Sequence, residues 1–144
     1  MPSYKDISSF SSWSKEDKDL FTVAVIKGLI MDTVRNANSG HTGGPMSSTD
    51  FTYILFSKYL NFDPDDDKWF NRDRFVLSAG HESALLYTLL TLVGWMNIDD
   101  IQNFRQLHST TPGHPEVGIK GVEATTGPLG QGVAMGIGMA VAES

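Results

Sequence analysis

The feature that most constrains the fold is the stretch RFVLSAGHESALLYTLLTLVGW, which runs from Arg74 to Trp95. It joins a short apolar run, a turn of small residues and a long apolar segment. The run from Phe75 to Leu77 predicts a strand, and the long segment predicts a buried helix from about Glu82 to Val93. A strand that enters a helix through a small-residue turn is half of a βαβ unit. The stretch therefore predicts an α/β fold.

Helices are predicted on both sides of this unit. Ser14 offers an N-cap, acidic residues follow in the first turn, and a wide apolar stripe predicts a helix that runs to about Asn36. The stripe consists of Leu20, Val23, Val25, Ile26, Leu29, Ile30 and Val34. A second helix is predicted from Ser47 or Ser48 to about Leu60. Further helices are predicted after a cap at Asn97 or Asp99 and from about Gly130 onward.

The predicted elements are one strand and four or five helices, which do not make a complete α/β domain. A single strand cannot satisfy its own backbone hydrogen bonds. We therefore expect residues 1–144 to be the first third or so of an α/β domain. Its sheet partners are expected elsewhere, either in a longer chain or in a second subunit.

Charge and composition exclude several classes of function. The net charge is -6, the pI is about 5.0, and the 11 basic residues are scattered, which argues against nucleic-acid binding. The absence of cysteine excludes disulfides and thiolate metal sites and makes a cytoplasmic location the expectation. The N-terminus lacks the apolar core of a signal peptide, and the weakly polar segment from Gly127 to Ala142 is shorter than a membrane span. We expect no membrane partner.

Three of the four histidines lie in similar Gly-His settings. His41 is in ANSGHTGGP, His81 in SAGHES and His114 in TPGHPE, whereas His108 lies in LHST. Neighbouring glycines let a backbone approach a ligand closely, and an imidazole can donate, accept or shuttle a proton near neutral pH. In ANSGHTGGP, one glycine at position 40 would suffice to end the preceding helix, so the next two indicate close approach to another group.

Other chemistries remain alternatives at this stage. Imidazoles can ligate zinc, but no HExxH pattern or cysteine pair is present. A Ser-His hydrolase lacks a GxSxG motif after the strand. The segment TTGPLGQG is compatible with a phosphate-binding loop or with a tight turn into a glycine-packed helix. The acidic run Asp63 to Asp67 lacks the spacing of a calcium loop and predicts a solvated surface.

The order of the motifs is more specific than any one of them. The segments ANSGHTGGPMS, RDRFVLSAGHES, NFRQLHSTTPGHPEVG and GVEATTGPLGQGVAMGIGMAVAE together resemble the opening of the transketolase family. The resemblance extends from about Leu20 to the last residue. It implies that residues 1–144 are an N-terminal portion of a thiamine-diphosphate-binding domain, with a mostly parallel sheet flanked by helices.

The resemblance also implies roles for individual residues. His41 would lie over the reactive carbon of the cofactor and take part in proton transfers, and His114 would contact the terminal hydroxyl of the donor ketose. His81 would hydrogen-bond the diphosphate. In the cofactor-binding segment Gly127, Pro128 and Leu129, the glycine carbonyl would meet the aminopyrimidine and the leucine would pack against the thiazolium. His108 is given no catalytic role.

The function implied by the resemblance is transfer of a two-carbon ketol unit from a ketose phosphate to an aldose phosphate, as in the pentose phosphate pathway. The implied cofactors are thiamine diphosphate and a divalent ion, Mg²⁺ or Ca²⁺, held by residues beyond this chain. The implied assembly is a homodimer, and the isolated 144 residues are expected to be inactive. The alternative is a non-catalytic, truncated paralogue that acts as a binding or interaction module.

Four positions depart from the usual pattern of the family. Thr42 stands in place of Pro, Gly44 in place of Ala, Ala79 in place of Asn, and Glu82 in place of Gly. Thr42 is expected to loosen the loop around His41. Glu82 places a negative charge beside the expected diphosphate contact, although a glutamate at a helix start is favoured by the helix dipole.

Overall fold

A computed structural model describes residues 6–144, in which the regular structure is helical. The helices are α1 Lys15–Ala37, α2 Gly43–Ile54, α3 Ser83–Val93, α4 Ile98–Gln102 and α5 Gln131–Glu143. Short 3-10 turns occupy Ile7–Ser12 and Gly80–Glu82, and a π-helical turn at Leu55–Tyr59 continues α2.

The prediction of a helix from Ser14 to about Asn36 is confirmed by α1, although the residue that ends it is not the expected glycine. Ser14 is the N-cap, and its hydroxyl accepts a hydrogen bond from the backbone N–H of Asp17 at 3.1 Å. The left-handed residue at the other end is Asn38, with φ 48° and ψ 28°. Asparagine tolerates this conformation well enough to end a helix. Gly40, with φ 133°, instead shapes the loop that follows.

Helix α2 begins at Gly43, several residues before the predicted start at Ser47 or Ser48. Its first turn contains two glycines and Pro45, which read as loop residues in the sequence. The first N–H groups of a helix have no intrahelical partner, so a proline there costs no helix hydrogen bond. The glycines that follow His41 are therefore part of a helix N-terminus and not of a loop before the helix.

The core is formed by α1, α2 and α4 around α3. The first eight residues of α3, Ser83 to Leu90, are all buried, as expected of a helix that is apolar on every side. Ile26 and Ile30 of α1 are fully buried in the same cluster, as is Ile101 of α4. The prediction of a buried helix in this segment is confirmed.

Helix α4 anchors the long loop that follows it. Asn97 caps the helix, and the Asp100 carboxylate accepts hydrogen bonds from the Asn97 backbone N–H at 2.8 Å and the Thr110 hydroxyl at 2.7 Å. These two bonds hold the pKa of the Asp100 carboxyl below its ordinary value. The hydroxyl of Thr111 donates to the Asp100 carbonyl at 2.7 Å. These hydrogen bonds therefore hold the start of the loop that leads to His114 against α4.

The strand predicted from Phe75 to Leu77 is not formed within the part of the chain that the structure describes. These residues belong to no strand, and the β-type pairing found in residues 6–144 is one isolated bridge between Val117 and Ile119. A strand requires a neighbour for its N–H and carbonyl groups. Without a second extended segment in register, the apolar run stays irregular.

Helix α5 packs against Ser78 at its first turn and forms an ion pair between Glu143 and Arg74 at its last. A Cβ on Gly132 would lie 2.5 Å from the Cα of Ser78, so the helix can approach this segment only without a side chain there. One face of α5 stays exposed, with Val133 at 59 %, Ile137 at 61 % and Val141 at 69 %. Within residues 6–144, none of the helices combines the length and apolar character needed to cross a membrane.

Candidate active site

Two of the three histidines in Gly-His settings are in contact. The ring centroids of His41 and His81 lie 4.9 Å apart, with an angle of 64° between the ring planes. His41 belongs to the loop between α1 and α2 and is exposed, whereas His81 is half-buried in the 3-10 turn that leads into α3. The fold thus brings together residues that are 40 positions apart in the sequence.

The turn that carries His81 packs directly against the segment before Gly127. A Cβ on Gly80 would lie 2.7 Å from the carbonyl oxygen of Thr126, so this contact requires glycine. The Thr126 hydroxyl donates to the carbonyl of Leu77 at 2.7 Å, and its backbone N–H donates to the carbonyl of Pro115 at 3.2 Å. Thr126 therefore ties its own segment to Leu77 and Gly80 and to Pro115.

The loop that carries His114 is held by two buried side chains of α3. The hydroxyl of Ser83 donates to the carbonyl of Gly113 at 2.8 Å. The hydroxyl of Tyr87 lies 2.9 Å from the carbonyl of Pro112 and 3.2 Å from that of His114, and its single proton is shared between them. Burial, and secondarily the negative charge of Glu116, raises the pKa of Tyr87 above its ordinary value. Tyr87 therefore remains a hydrogen-bond donor at neutral pH.

His114 and the cofactor-binding segment predicted from the resemblance are neighbours. A Cβ on Gly127 would lie 3.7 Å from Cδ2 of the His114 ring. Pro128 is exposed, and Leu129 is 75 % exposed directly before α5. The structure thus joins His114 to Gly127, and it leaves the leucine side chain facing outward.

Arg105 links the loops of His41 and His114, and the sequence reading missed it. Its Nη1 donates to the hydroxyl of Ser39 at 3.0 Å, two residues before His41. Its Nε lies 2.9 Å from where a Cβ on Gly113 would be, so the guanidinium passes close to the backbone just before His114. Arg105 has φ 60°, an unusual conformation for arginine that tertiary contacts stabilise. No sequence motif signals this role.

An open groove of about 780 Å³ lies beside His114. Its walls include Ser39, Arg105, His108, Ser109, His114 and Glu116. The Nε of Arg105 and the hydroxyl of Ser109 are buried without a hydrogen-bond partner. The groove has the size of a small-molecule site, and most of the side chains that line it are polar. His108 lines the groove as well, although no motif in the sequence points to that residue.

Gly44 lies against the carboxylate of Glu82, whose Oε1 would overlap a Cβ at this position. Around Gly43 there is no such neighbour within 4 Å. Within the described residues, Gly44 thus approaches a protein side chain and Gly43 has no close neighbour, and their approach to a ligand stays a prediction.

The described residues offer no metal site of their own. Within residues 6–144, no group of three histidine, cysteine, aspartate or glutamate side chains is arranged to hold a metal ion. The zinc alternative therefore has no support there. Asp63, Asp65 and Asp66 are exposed in turns.

Residues 18–144 match the family model described as transketolase, thiamine diphosphate binding domain. The chain belongs to the transketolase family. It is 56 % identical to a transketolase of Bacillus subtilis over 124 residues, which are 85 % of this chain and 19 % of that protein. Transketolase 2 of Escherichia coli is 54 % identical over 120 residues, or 82 % of this chain and 18 % of its own length.

Solved transketolases also share the fold of this chain. A Pichia stipitis transketolase in complex with sedoheptulose-7-phosphate superposes with a TM-score of 0.82 and 48 % identity, covering 86 % of this chain and 18 % of that one. The transketolase of Leishmania mexicana gives a TM-score of 0.81 and 45 % identity over 84 % of this chain and 18 % of its own. The chain thus spans about a fifth of the length of the transketolases it matches.

Proposed function

We propose that residues 1–144 form the N-terminal part of the cofactor-binding domain of a transketolase. The complete enzyme would transfer a two-carbon ketol unit from a ketose phosphate to an aldose phosphate. The observation that carries the proposal is that two neighbouring pairs, His41 with His81 and His114 with Gly127, are joined through the contact between Gly80 and Thr126. Similarity to proteins named transketolase supports this function over that of a truncated interaction module.

The residues present fit thiamine diphosphate. His81 precedes α3, an 11-residue helix whose N-terminal end favours negative charge, so its imidazole suits a diphosphate. Leu129 is a 75 % exposed apolar side chain beside a glycine backbone, which suits the face of an aromatic ring. When bound, the cofactor supplies the electron sink that ketol transfer requires.

Each histidine then has a distinct task. We propose that His41 removes protons from, and returns them to, substrate hydroxyl groups, which an exposed imidazole can do near neutral pH. His114, at the edge of the groove, would accept or donate a hydrogen bond at the terminal hydroxyl of the donor ketose. His81 would bind the diphosphate. The carbonyl of Gly127 would orient the aminopyrimidine, and Pro128 and Leu129 would form the adjoining wall.

Several parts of the complete enzyme lie outside these residues in this proposal. Because the described residues hold no metal cluster, we propose that Mg²⁺ or Ca²⁺ is bound by residues beyond this chain. We also propose that Phe75 to Leu77 join a mostly parallel sheet with later segments. The active form would be a cytoplasmic homodimer, and residues 1–144 alone would be inactive.

Replacement of His114 by alanine in the complete enzyme tests the proposed donor contact. Loss of one hydrogen bond to a bound hydroxyl is expected to lower kcat/KM for the donor ketose roughly five- to thirtyfold. Because His114 is exposed, the fold should be unaffected. Steady-state kinetics with the donor and the acceptor varied separately give the answer. Unchanged donor kinetics would contradict the role of His114.

A further inference from the structure

Glu82 is a charged residue of the candidate active site that the proposed mechanism does not use. It follows His81 directly and is half-buried at the end of the 3-10 turn before α3. Ion pairs within residues 6–144 involve other acidic residues, such as Glu123 with Arg72, and Glu82 takes part in none of them. Its negative charge is therefore not neutralised by any lysine, arginine or histidine of residues 6–144.

The position of the carboxylate is determined by α2. Besides the overlap with Oε1, a Cβ on Gly44 would lie 2.9 Å from Cδ of Glu82, which places the whole carboxyl group beside the first turn of this helix. No side chain caps α2, whose N-cap residue is Thr42. The partial positive charge at a helix N-terminus stabilises a nearby carboxylate. The carboxylate of Glu82 thus lies at the start of α2, close to the loop of His41 and next to His81.

A fixed negative charge at this place opposes the binding of an anion. Thiamine diphosphate carries its negative charge on the group that His81 is proposed to bind. Like charges within one Debye length repel each other, and the repulsion weakens as salt is added. We propose that Glu82 sets the affinity of this enzyme for its cofactor by electrostatic repulsion of the diphosphate. This inference rests on the proposed function.

Titration of the cofactor-free complete enzyme tests the inference without any measurement of activity. Thiamine diphosphate is added at saturating Mg²⁺ and at two ionic strengths, and heat release gives the dissociation constant. Glu82→Gln removes the charge and keeps the shape, whereas Glu82→Asp keeps the charge and shortens the side chain. Glu16→Gln is the matched control, because it makes the same change at the far end of the 23-residue helix α1, roughly 30 Å along the chain from the His41 loop.

The expected result is an affinity that depends on charge. At low salt, Glu82→Gln should bind the cofactor roughly three- to tenfold more tightly than the unmodified enzyme, and the difference should shrink at high salt. Glu82→Asp and Glu16→Gln should stay close to the unmodified enzyme.

Two results would overturn the inference while leaving the proposed function intact. One is equal affinity for Glu82→Gln and the unmodified enzyme at both salt concentrations. The other is an equal gain for Glu82→Gln and Glu82→Asp, which would assign the effect to shape and not to charge. Failure of every one of these proteins to bind thiamine diphosphate would instead contradict the proposed function itself.

Discussion

Replacement of His41 by asparagine in the complete enzyme is expected to lower kcat for ketol transfer roughly a hundredfold to ten-thousandfold, the range for loss of a general acid-base group. Asparagine keeps a polar side chain of similar reach and cannot shuttle a proton. The imidazole lies 4.9 Å from the His81 ring, on an exposed loop. Because it supports no core contact, the loss should appear in turnover and not in stability. Single-turnover kinetics at saturating cofactor separate chemistry from binding.

His108→Asn is the matched control for this prediction. His108 is also an exposed histidine in a loop, and its φ of 63° is a conformation that asparagine accepts. His108 lines the groove beside His114 and has no proposed part in proton transfer, so we expect any effect in KM, with kcat within a few-fold of the unmodified enzyme. A loss of similar size in both variants, or no loss at position 41, would contradict the role proposed for His41.

Replacement of Gly80 by alanine is expected to destabilise the protein by about 1–3 kcal/mol, the usual cost of forcing an extra methyl group into a packed site. The new Cβ would lie 2.7 Å from the carbonyl oxygen of Thr126 and 2.8 Å from its carbonyl carbon. These are backbone atoms and cannot rotate away. The His81 turn and the Thr126 segment must therefore separate, which should also weaken cofactor binding. Urea unfolding followed by circular dichroism measures the loss of stability.

Gly136→Ala provides the contrast, since no atom lies within 4 Å of a Cβ at that position in α5. Alanine favours a helix interior over glycine by roughly 0.5–1 kcal/mol. We therefore expect this variant to match or exceed the stability of the unmodified protein. Equal unfolding midpoints for the two alanine variants would show that the contact between Gly80 and Thr126 is not tight.

The helices could be predicted because their signals are local. The Ser14 cap and the apolar run of α3 act through neighbours within a few residues, and both predictions are confirmed. The start of α2 was missed because Gly43, Gly44 and Pro45 usually indicate a loop, whereas a helix N-terminus also tolerates them. The strand at Phe75 to Leu77 stays a prediction, because strand pairing depends on a partner segment, and residues 6–144 supply none.

The candidate active site likewise has residues that the sequence marks and contacts that only the fold shows. The Gly-His settings marked His41, His81 and His114 from sequence, because residue type and turn chemistry are readable there. The contacts that position them are long-range. Arg105 reaches Ser39 across 66 positions, and Tyr87 reaches the carbonyl of His114 across 27. Such pairs have no periodicity, so only the fold reveals them.

The most direct test of the proposed site is a crystal structure of the complete enzyme with thiamine diphosphate, a divalent ion and a ketose phosphate. We predict that a nitrogen of His81 lies within hydrogen-bond distance, about 2.7–3.2 Å, of a diphosphate oxygen. His41 and His114 should face the substrate, and Leu129 should cover the thiazolium ring. A cofactor bound with its diphosphate away from His81, or with Gly127 and Leu129 out of contact, would contradict the proposed site.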